Sequence, residues 1–328
     1  MLKIGLSITK NKLKYQLLID YLNSLINIDN KIEYIFLPTN QDILNNLKDI
    51  DILLTYTIDN QYFSDSNNKI QWIQLGNAGV DDSMFESVIR SKTIITNSRG
   101  INSIAVAEYI MSIILYLSKK IQMSVDFKSL KQWTQWDIAK NIDILENKKL
   151  GIIGYGSIGK EIAKKAKAFN MKVRAVKRLQ KKKISTKYVD ELLPKTYLDS
   201  ILFDSDFIII ACPLTPQTKH LINEKKLNLI SENSYLINIS RGSIIRENDL
   251  IKHLKNKKIK GAILDVFESE PLSKNSALFD LDNVFISPHI SGNFKGYQKK
   301  VIASFAENLL RFINKKPLKN KVCKKRLY

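Results

Sequence analysis

Two doubly wound α/β domains with parallel sheets are predicted by three observations. Short apolar runs alternate with amphipathic stretches along nearly the whole chain. Strands separated by helices make βαβ units, and those units build parallel sheets. Runs such as Phe207-Ile208-Ile209-Ile210-Ala211 are apolar on both faces, as a strand with helices on both sides requires. The length of 328 residues exceeds one typical domain and suits two.

In the first half, strands are predicted at 2–8, 32–37, 52–56 and 71–75, with helices at 11–26 and 41–48. The second half repeats the rhythm, with strands at 149–154, 172–176, 207–212, 234–239, 260–266 and 283–287. Helices are expected there at 157–169, 221–230, 246–256 and 294–314. The longest apolar stretch, Ile101 to Leu117, contains Asn102, Ser103, Glu108 and Ser112. A bilayer would penalise that carboxylate heavily, so the stretch reads as a buried or interface helix. The softest boundary between the two sheets lies near Asn97 to Ser103, and no sequence repeat suggests a solenoid.

Hydrophobic residues at 44% and charged residues at 26% fit a globular protein, and 12 Gly with 7 Pro exclude collagen-like and low-complexity classes. Cys212 and Cys323 are too few for a disulfide framework or a cysteine zinc site, and they suit a reducing cytoplasm. The N-terminus Met1-Leu2-Lys3-Ile4-Gly5-Leu6-Ser7-Ile8 is strand-like and lacks the marks of an export signal. A cytoplasmic protein without a membrane partner or a metal is expected. The net charge of +20 favours anionic partners, whether nucleic acid, anionic lipid or phosphate and carboxylate ligands. A gene rich in Lys, Ile and Asn codons would give the same excess. No helix-turn-helix or zinc motif is present, so nucleic acid is not the expected partner.

The sharpest motif is Gly151-Ile152-Ile153-Gly154-Tyr155-Gly156-Ser157-Ile158-Gly159, which ends a strand and opens a helix. This is G-x-G-x-x-G in the setting a dinucleotide needs. Gly154 permits the tight turn, Gly156 admits a pyrophosphate against the backbone, and Gly159 lets helix and strand pack closely. The free amides and helix dipole then hold the phosphates. Gly154 to Lys160 also matches a phosphate-binding P-loop, but Glu161 stands where that loop needs Ser or Thr for magnesium. After the next strand, an NAD-selective site places an acid on the ribose 2′-hydroxyl. Here Lys177 stands 18 residues after Gly159 and Arg178 follows. A carboxylate would repel a 2′-phosphate, whereas these cations pair with it, so NADP(H) is preferred and NAD(H) is the alternative.

Of three histidines, His220 and His253 read as structural or solvent-facing. His289 follows Val284-Phe285-Ile286-Ser287-Pro288 at the carboxyl end of a strand, the sheet edge where ligands bind. An imidazole there can act as general acid or base. Two more strand ends supply Arg241, which can fork onto a substrate carboxylate, and the acidic run Glu268-Ser269-Glu270, which can orient the His289 ring.

Taken in order, these motifs resemble the D-isomer-specific 2-hydroxyacid dehydrogenase family over nearly the whole chain. The residues that carry the resemblance are Gly154–Gly159, Cys212-Pro213-Leu214-Thr215-Pro216-Gln217-Thr218, Asn238-Ile239-Ser240-Arg241-Gly242, Leu264-Asp265-Val266-Phe267-Glu268-Ser269-Glu270-Pro271 and Ser287-Pro288-His289-Ile290-Ser291-Gly292. The resemblance implies a Rossmann cofactor domain, 99–292, inserted into a flavodoxin-like substrate domain formed by 1–98 and 293–328. It implies Arg241, Glu270 and His289 as the catalytic set. Gly154, Gly156, Ser157, Ile158, Gly159, Lys177, Arg178, Cys212, Pro213, Thr218, Ile239, Ser240, Arg241, Asp265, His289, Ser291 and Gly292 would contact the cofactor, with Asp265 by the nicotinamide. The early segment Leu75-Gly76-Asn77-Ala78-Gly79-Val80-Asp81 resembles the family's substrate loop. Asn77, Ala78 and Gly79 would meet the substrate there, with the Ala78 and Gly79 amides on its carboxylate, beside Arg241 and His289.

The implied reaction interconverts a small 2-oxo acid and its D-2-hydroxy acid, most plausibly as a glyoxylate/hydroxypyruvate reductase. Glu270 argues against a formate dehydrogenase, whose histidine is paired with Gln. The 39 residues after His289 leave no room for a regulatory domain, which disfavours the long phosphoglycerate dehydrogenases. A short-form phosphoglycerate dehydrogenase and a non-catalytic, nucleotide-sensing corepressor-like protein are the alternatives. Ser291, where Ala or Gly is usual, is expected to be harmless. The helix from Ser103 to Lys119 and Trp133-Thr134-Gln135-Trp136 resemble the family's dimer arm, so a homodimer is expected, although the apolar stripe of the helix could equally be core.

Overall fold

A computed structural model describes residues 1–26, 32–64 and 68–328. The chain divides into two compact units, Met1–Asn102 with Phe294–Tyr328, and Ser103–Asn293. Each is built on one sheet whose strands are apolar enough to be covered on both faces.

The first unit holds β1 (Leu2–Ser7), β2 (Ile32–Phe36), β3 (Ile52–Thr55), β4 (Trp72–Leu75) and β5 (Ile94–Thr96). All are parallel in the order β2-β1-β3-β4-β5, the flavodoxin-like order. Its helices are α1 (Lys12–Leu25), α2 (Asn40–Asn46), α3 (Glu86–Arg90) and a late helix, Tyr297–Ile313. Asn11 starts α1 by accepting from the Lys14 amide, and Thr39 with Asp42 closes a capping box on α2. The late helix returns to the first sheet because Val301, Ile302, Phe305 and Leu309 are buried against Ile4, Leu6, Ile52 and Leu54. Trp72 fixes that packing: its ring stacks on Phe305 at 5.1 Å and its indole N–H donates to Thr96 Oγ1 at 2.8 Å.

The second unit begins with α4 (Ser103–Ser118), α5 (Ile121–Leu130) and α6 (Gln135–Ala139). Then come β6 (Lys149–Ile153), α7 (Ser157–Ala168), β7 (Lys172–Lys177), β8 (Ile184–Thr186), β9 (Val189–Pro194), α8 (Leu198–Phe203), β10 (Phe207–Ile210), α9 (Glu224–Leu227), β11 (Tyr235–Asn238), α10 (Glu247–Lys255), β12 (Gly261–Leu264) and β13 (Val284–Ile286). The helix Tyr297–Ile313 is thus α11. The sheet order is β13-β12-β11-β10-β6-β7-β9-β8, parallel except for the edge pair β8–β9. Strand order reverses between β6 and β10, and ligands bind outside the carboxyl ends of strands at such a point. The buried side of α4 (Val106, Ala107, Ile110, Met111, Ile113 and Ile114) belongs to this unit's own core. No helix among the described residues is long and apolar enough to cross a membrane.

One expectation shifts, and several elements are additional. The helix expected at 221–230 is the single turn α9, because Ile222 instead bridges Ile245 and its amide donates to Ile244 O at 3.0 Å. The hairpin β8–β9 and the short helices α3, α5, α6 and α8 are additional to the sequence reading. So is β5, three residues that complete the first sheet.

Candidate active site

The carboxyl ends of β6, β7, β10, β11, β12 and β13 lie along one sheet edge, and they deliver the residues singled out from the sequence. At the end of β6, Gly154 has φ +107, and a Cβ there would stand 2.6 Å from the Cys212 amide nitrogen. Only glycine fits, and the Gly154 turn is thereby seated on the end of β10. At Gly159 a Cβ would lie 2.4 Å from Gly154 O, so helix α7 can approach β6 only without a side chain. Gly156 differs: no heavy atom would lie within 4 Å of its Cβ. Nothing in the protein requires a glycine there, while a ligand lying against the backbone does. Among the described residues no acceptor meets the amides of Ser157, Ile158 and Gly159, the first turn of α7. These features fit a dinucleotide pyrophosphate.

Lys177 ends β7, and Lys177 and Arg178 are both exposed. They are brought beside the glycine turn because the Gly154 amide donates to Val176 O at 3.0 Å. After β10, Cys212 and Pro213 begin a loop shaped by Thr218, whose hydroxyl donates to Pro213 O at 2.7 Å and accepts from the Thr215 amide at 2.8 Å. Burial pushes the Cys212 thiol up to about 12, so this cysteine stays protonated. Its carbonyl accepts from Ser240 Oγ, which ties the β10 and β11 loops together. Ile239 is only 6% exposed and belongs to the core.

Arg241 follows β11 in a turn held by the Asn238 side chain, which donates to Arg241 O at 2.9 Å and accepts from the Ser240 amide at 3.1 Å. Its guanidinium donates to Ser240 O at 2.8 Å. Gly242 then lies flat against the next loop: a Cβ would sit 1.8 Å from Phe267 C and 2.3 Å from Glu268 N. That loop carries Glu270. Glu270 Oε1 accepts from the Phe267 amide at 3.0 Å, and Oε2 lies 2.7 Å from His289 Nδ1.

His289 has φ +54, a left-handed conformation unusual for a residue with a Cβ. Asp265 holds the segment in place. This carboxylate is 1% exposed and accepts from Ser287 Oγ at 2.6 Å and from the amides of Ile290 and Ser291 at 2.9 Å each. Ser291 is buried and Gly292 half-buried behind it. Expected only as a neighbour of the nicotinamide, Asp265 is also the anchor of the histidine loop. Sequence reasoning missed this because the bonds come from backbone amides 25 and 26 residues away.

Two histidines lie outside the expected set. His253 is buried, with Nδ1 2.8 Å from Asp249 O and Nε2 3.0 Å from Asn228 Oδ1, and is structural. His220 pairs with Glu268 at 2.7 Å. In the other unit, the loop after β4 carries Asn77, exposed, with Ala78 and Gly79 half-buried. The Asn77 side chain donates to Tyr56 O at 3.0 Å and Asn97 Nδ2 donates to Ala78 O at 2.7 Å. Among the described residues nothing accepts from the Ala78 and Gly79 amides.

A parallel sheet of this order, with a fitting pyrophosphate turn and a His–Glu pair at its carboxyl edge, defines a nicotinamide-dependent oxidoreductase. The chain belongs to the D-isomer specific 2-hydroxyacid dehydrogenase family, whose NAD binding domain model matches residues 111–291. It is 34% identical to a glyoxylate reductase of Pyrococcus horikoshii over 279 residues, 82% of each chain. A second glyoxylate reductase, from Thermococcus litoralis, is 32% identical over 286 residues, 84% of each. A crystal structure of a D-isomer specific 2-hydroxyacid dehydrogenase family protein from Aeromonas salmonicida superposes with a TM-score of 0.84 at 27% identity, covering 98% of this chain and 99% of that one. The protein is an NAD(P)-dependent D-2-hydroxyacid dehydrogenase.

Proposed function

We propose that the enzyme reduces a small 2-oxo acid of the glyoxylate or hydroxypyruvate type, preferring NADPH to NADH, with Arg241, Glu270 and His289 carrying the chemistry. The observation that carries this reading is the 2.7 Å contact between His289 Nδ1 and Glu270 at the carboxyl edge of the sheet that holds the glycine turn. The glyoxylate reductases among the relatives support the substrate class. Lys177 and Arg178 in place of a ribose-binding acid support NADPH.

When bound, NADPH supplies a hydride to the carbonyl carbon. Glu270 accepts a hydrogen bond from His289 Nδ1–H and stabilises the protonated ring, which leaves Nε2 as the nitrogen that exchanges a proton with substrate. His289 Nε2 protonates the carbonyl oxygen during reduction and takes that proton back during oxidation. Arg241 forks onto the substrate carboxylate and polarises the carbonyl. In the other unit, the amides of Ala78 and Gly79, for which no acceptor is found among the described residues, with Asn77 beside them, are proposed as substrate-binding groups. Gly156 and the amides of Ser157, Ile158 and Gly159 hold the pyrophosphate, and Lys177 with Arg178 pairs the 2′-phosphate. Pro213, Ser240 and Gly292 line the remaining cofactor path; Cys212, Thr218, Ile239, Asp265 and Ser291 shape it from within.

The enzyme is further proposed to act as a cytoplasmic homodimer. Support for the dimer is the apolar exposure of the α5–α6 segment, with Leu130 60%, Trp133 82% and Trp136 76% exposed. Light scattering on the purified protein tests this, and a monomer at micromolar concentration refutes it. For the activity, the test is loss of NADPH absorbance with glyoxylate, hydroxypyruvate, pyruvate and a branched 2-oxo acid. Turnover with the first two is expected; none with any of the four overturns the reading. His289→Ala is expected to lose most of the rate and keep the cofactor.

A further inference from the structure

We propose that His220 and Glu268 form a latch whose work is to position Glu270, and through it the ring of His289. The proposal rests on the reading that the Glu270–His289 pair is catalytic. His220 is thereby a positioning residue.

The acidic loop Glu268-Ser269-Glu270 holds two histidines, His220 on its first carboxylate and His289 on its second, each at 2.7 Å. Both histidines adopt a left-handed backbone, with φ +51 and +54. A residue with a Cβ stays there only where its surroundings hold it. For His220 the backbone restraint is on the page: its amide donates to Ser243 O at 2.8 Å, two residues past Arg241. One residue therefore grips the Arg241 turn with its backbone and the Glu270 loop with its ring. The His220 and Glu268 side chains remain 32% and 31% exposed, so the pair is no buried core contact.

The acidic loop needs such a grip. Its backbone at Phe267 and Glu268 is pressed against Gly242 on one side. On another side the Glu268 amide donates to Glu247 Oε2 at 3.1 Å. Burial raises the Glu247 carboxyl above its usual range, and the charge of Glu268 pushes the same way. Glu268 is thus set beside a like charge, and the His220 ring is the partner that draws its carboxylate away. If either partner is removed the loop loses this grip and pivots, and with the ring alone gone Glu268 also repels Glu247. The Phe267 amide that fixes Glu270 Oε1 pivots with it.

His220→Asn is the variant of choice, because Asn tolerates the left-handed backbone yet is too short to reach Glu268. Glu268→Ala opens the latch from the other side, and Glu268→Gln keeps an oxygen that can accept from Nε2–H. Expected for His220→Asn and Glu268→Ala is a fall in kcat of about 10-fold, with KM and NADPH affinity held within about two-fold. Glu268→Gln should restore most of the rate. In the Glu270→Gln background His220→Asn should cost nothing more, since the residue it positions is already lost. A second readout needs no substrate: with only three histidines, the ring nitrogens of His289 can be followed by ¹⁵N NMR. At a pH where the ring is neutral, the Nδ1–H tautomer should give way to a mixture in His220→Asn. Unchanged His289 nitrogen signals, or a full additive loss in the double variant, would overturn the latch. A wild-type enzyme inert toward every oxo acid would overturn the proposed function instead, and the nitrogen signals would still decide the latch.

Discussion

Gly242→Ala perturbs the closest backbone approach in the site. The added methyl carbon would stand 1.8 Å from Phe267 C, 2.0 Å from Phe267 O and 2.3 Å from Glu268 N. These are main-chain atoms, so no rotamer change relieves the overlap. Reaching even a tight 3.0 Å from 1.8 Å parts the two loops by more than 1 Å. The moving loop carries the Phe267 amide and Glu270, the pair that fixes His289. A misplacement of about 1 Å costs about 100-fold in rate. Forcing a methyl into a filled space costs about 1–3 kcal/mol, which for a unit of this size lowers Tm by about 2–12 °C. The assay is steady-state reduction of glyoxylate or hydroxypyruvate beside thermal unfolding, with NADPH affinity measured by fluorescence. A loss of kcat of about 100-fold is expected, with NADPH affinity close to wild type, because the glycine turn lies on other strands. Wild-type kcat together with an unchanged Tm would refute the reasoning: the contact between the loops would then not be what places Glu270.

Gly156→Ala is the opposite case. With φ −94 and no atom within 4 Å of the new carbon, Tm should stay within about 1 °C while NADPH binding weakens by about 10-fold or more; retained affinity removes the pyrophosphate from this turn. Lys177→Asp should shift the kcat/KM ratio of NADPH to NADH by about 10-fold toward NADH, as loss of a charged hydrogen bond predicts, and an unaltered ratio refutes the 2′-phosphate assignment. Cys212, with its thiol pushed up to about 12, should resist iodoacetamide at about pH 8, where its thiolate fraction is on the order of 10⁻⁴. Exposed Cys323 serves as the internal comparison by mass spectrometry, and labelling of both at one rate would contradict the burial of Cys212.

The legible parts of this fold are those written in contiguous residues. The run Phe207–Ala211 could only be a strand covered on both faces, and it is β10 at the centre of its sheet. The glycine turn was legible because three glycines each answer a different steric demand at fixed spacing. The hairpin β8–β9 was not: Lys and Thr interrupt its apolar residues, and β8 is held only by one antiparallel neighbour. The shortening of the helix expected at 221–230 was equally hidden, since Ile222 is claimed by Ile245 from another loop. His289 and Glu270 could be suspected because strand ends announce themselves. The pairing of His220 with Glu268 could not, because it depends on a left-handed backbone and on which of two nearby carboxylates each ring meets.

The same distinction explains why Asp265 matters beyond any contact with a cofactor. A carboxylate that is 1% exposed must have its charge met by donors inside the protein. Asp265 finds them in Ser287 Oγ and the amides of Ile290 and Ser291, which bracket His289 on both sides. Three bonds to one buried acid leave the segment little freedom, and the left-handed turn at His289 is what remains. The imidazole is therefore aimed by two carboxylates with separate tasks. Asp265, unreachable by solvent, fixes where the backbone stands, while Glu270, half-exposed, fixes how the ring is turned. An acid that served both tasks would have to be buried to anchor the loop and open to follow the proton of the ring, and no single environment meets both demands.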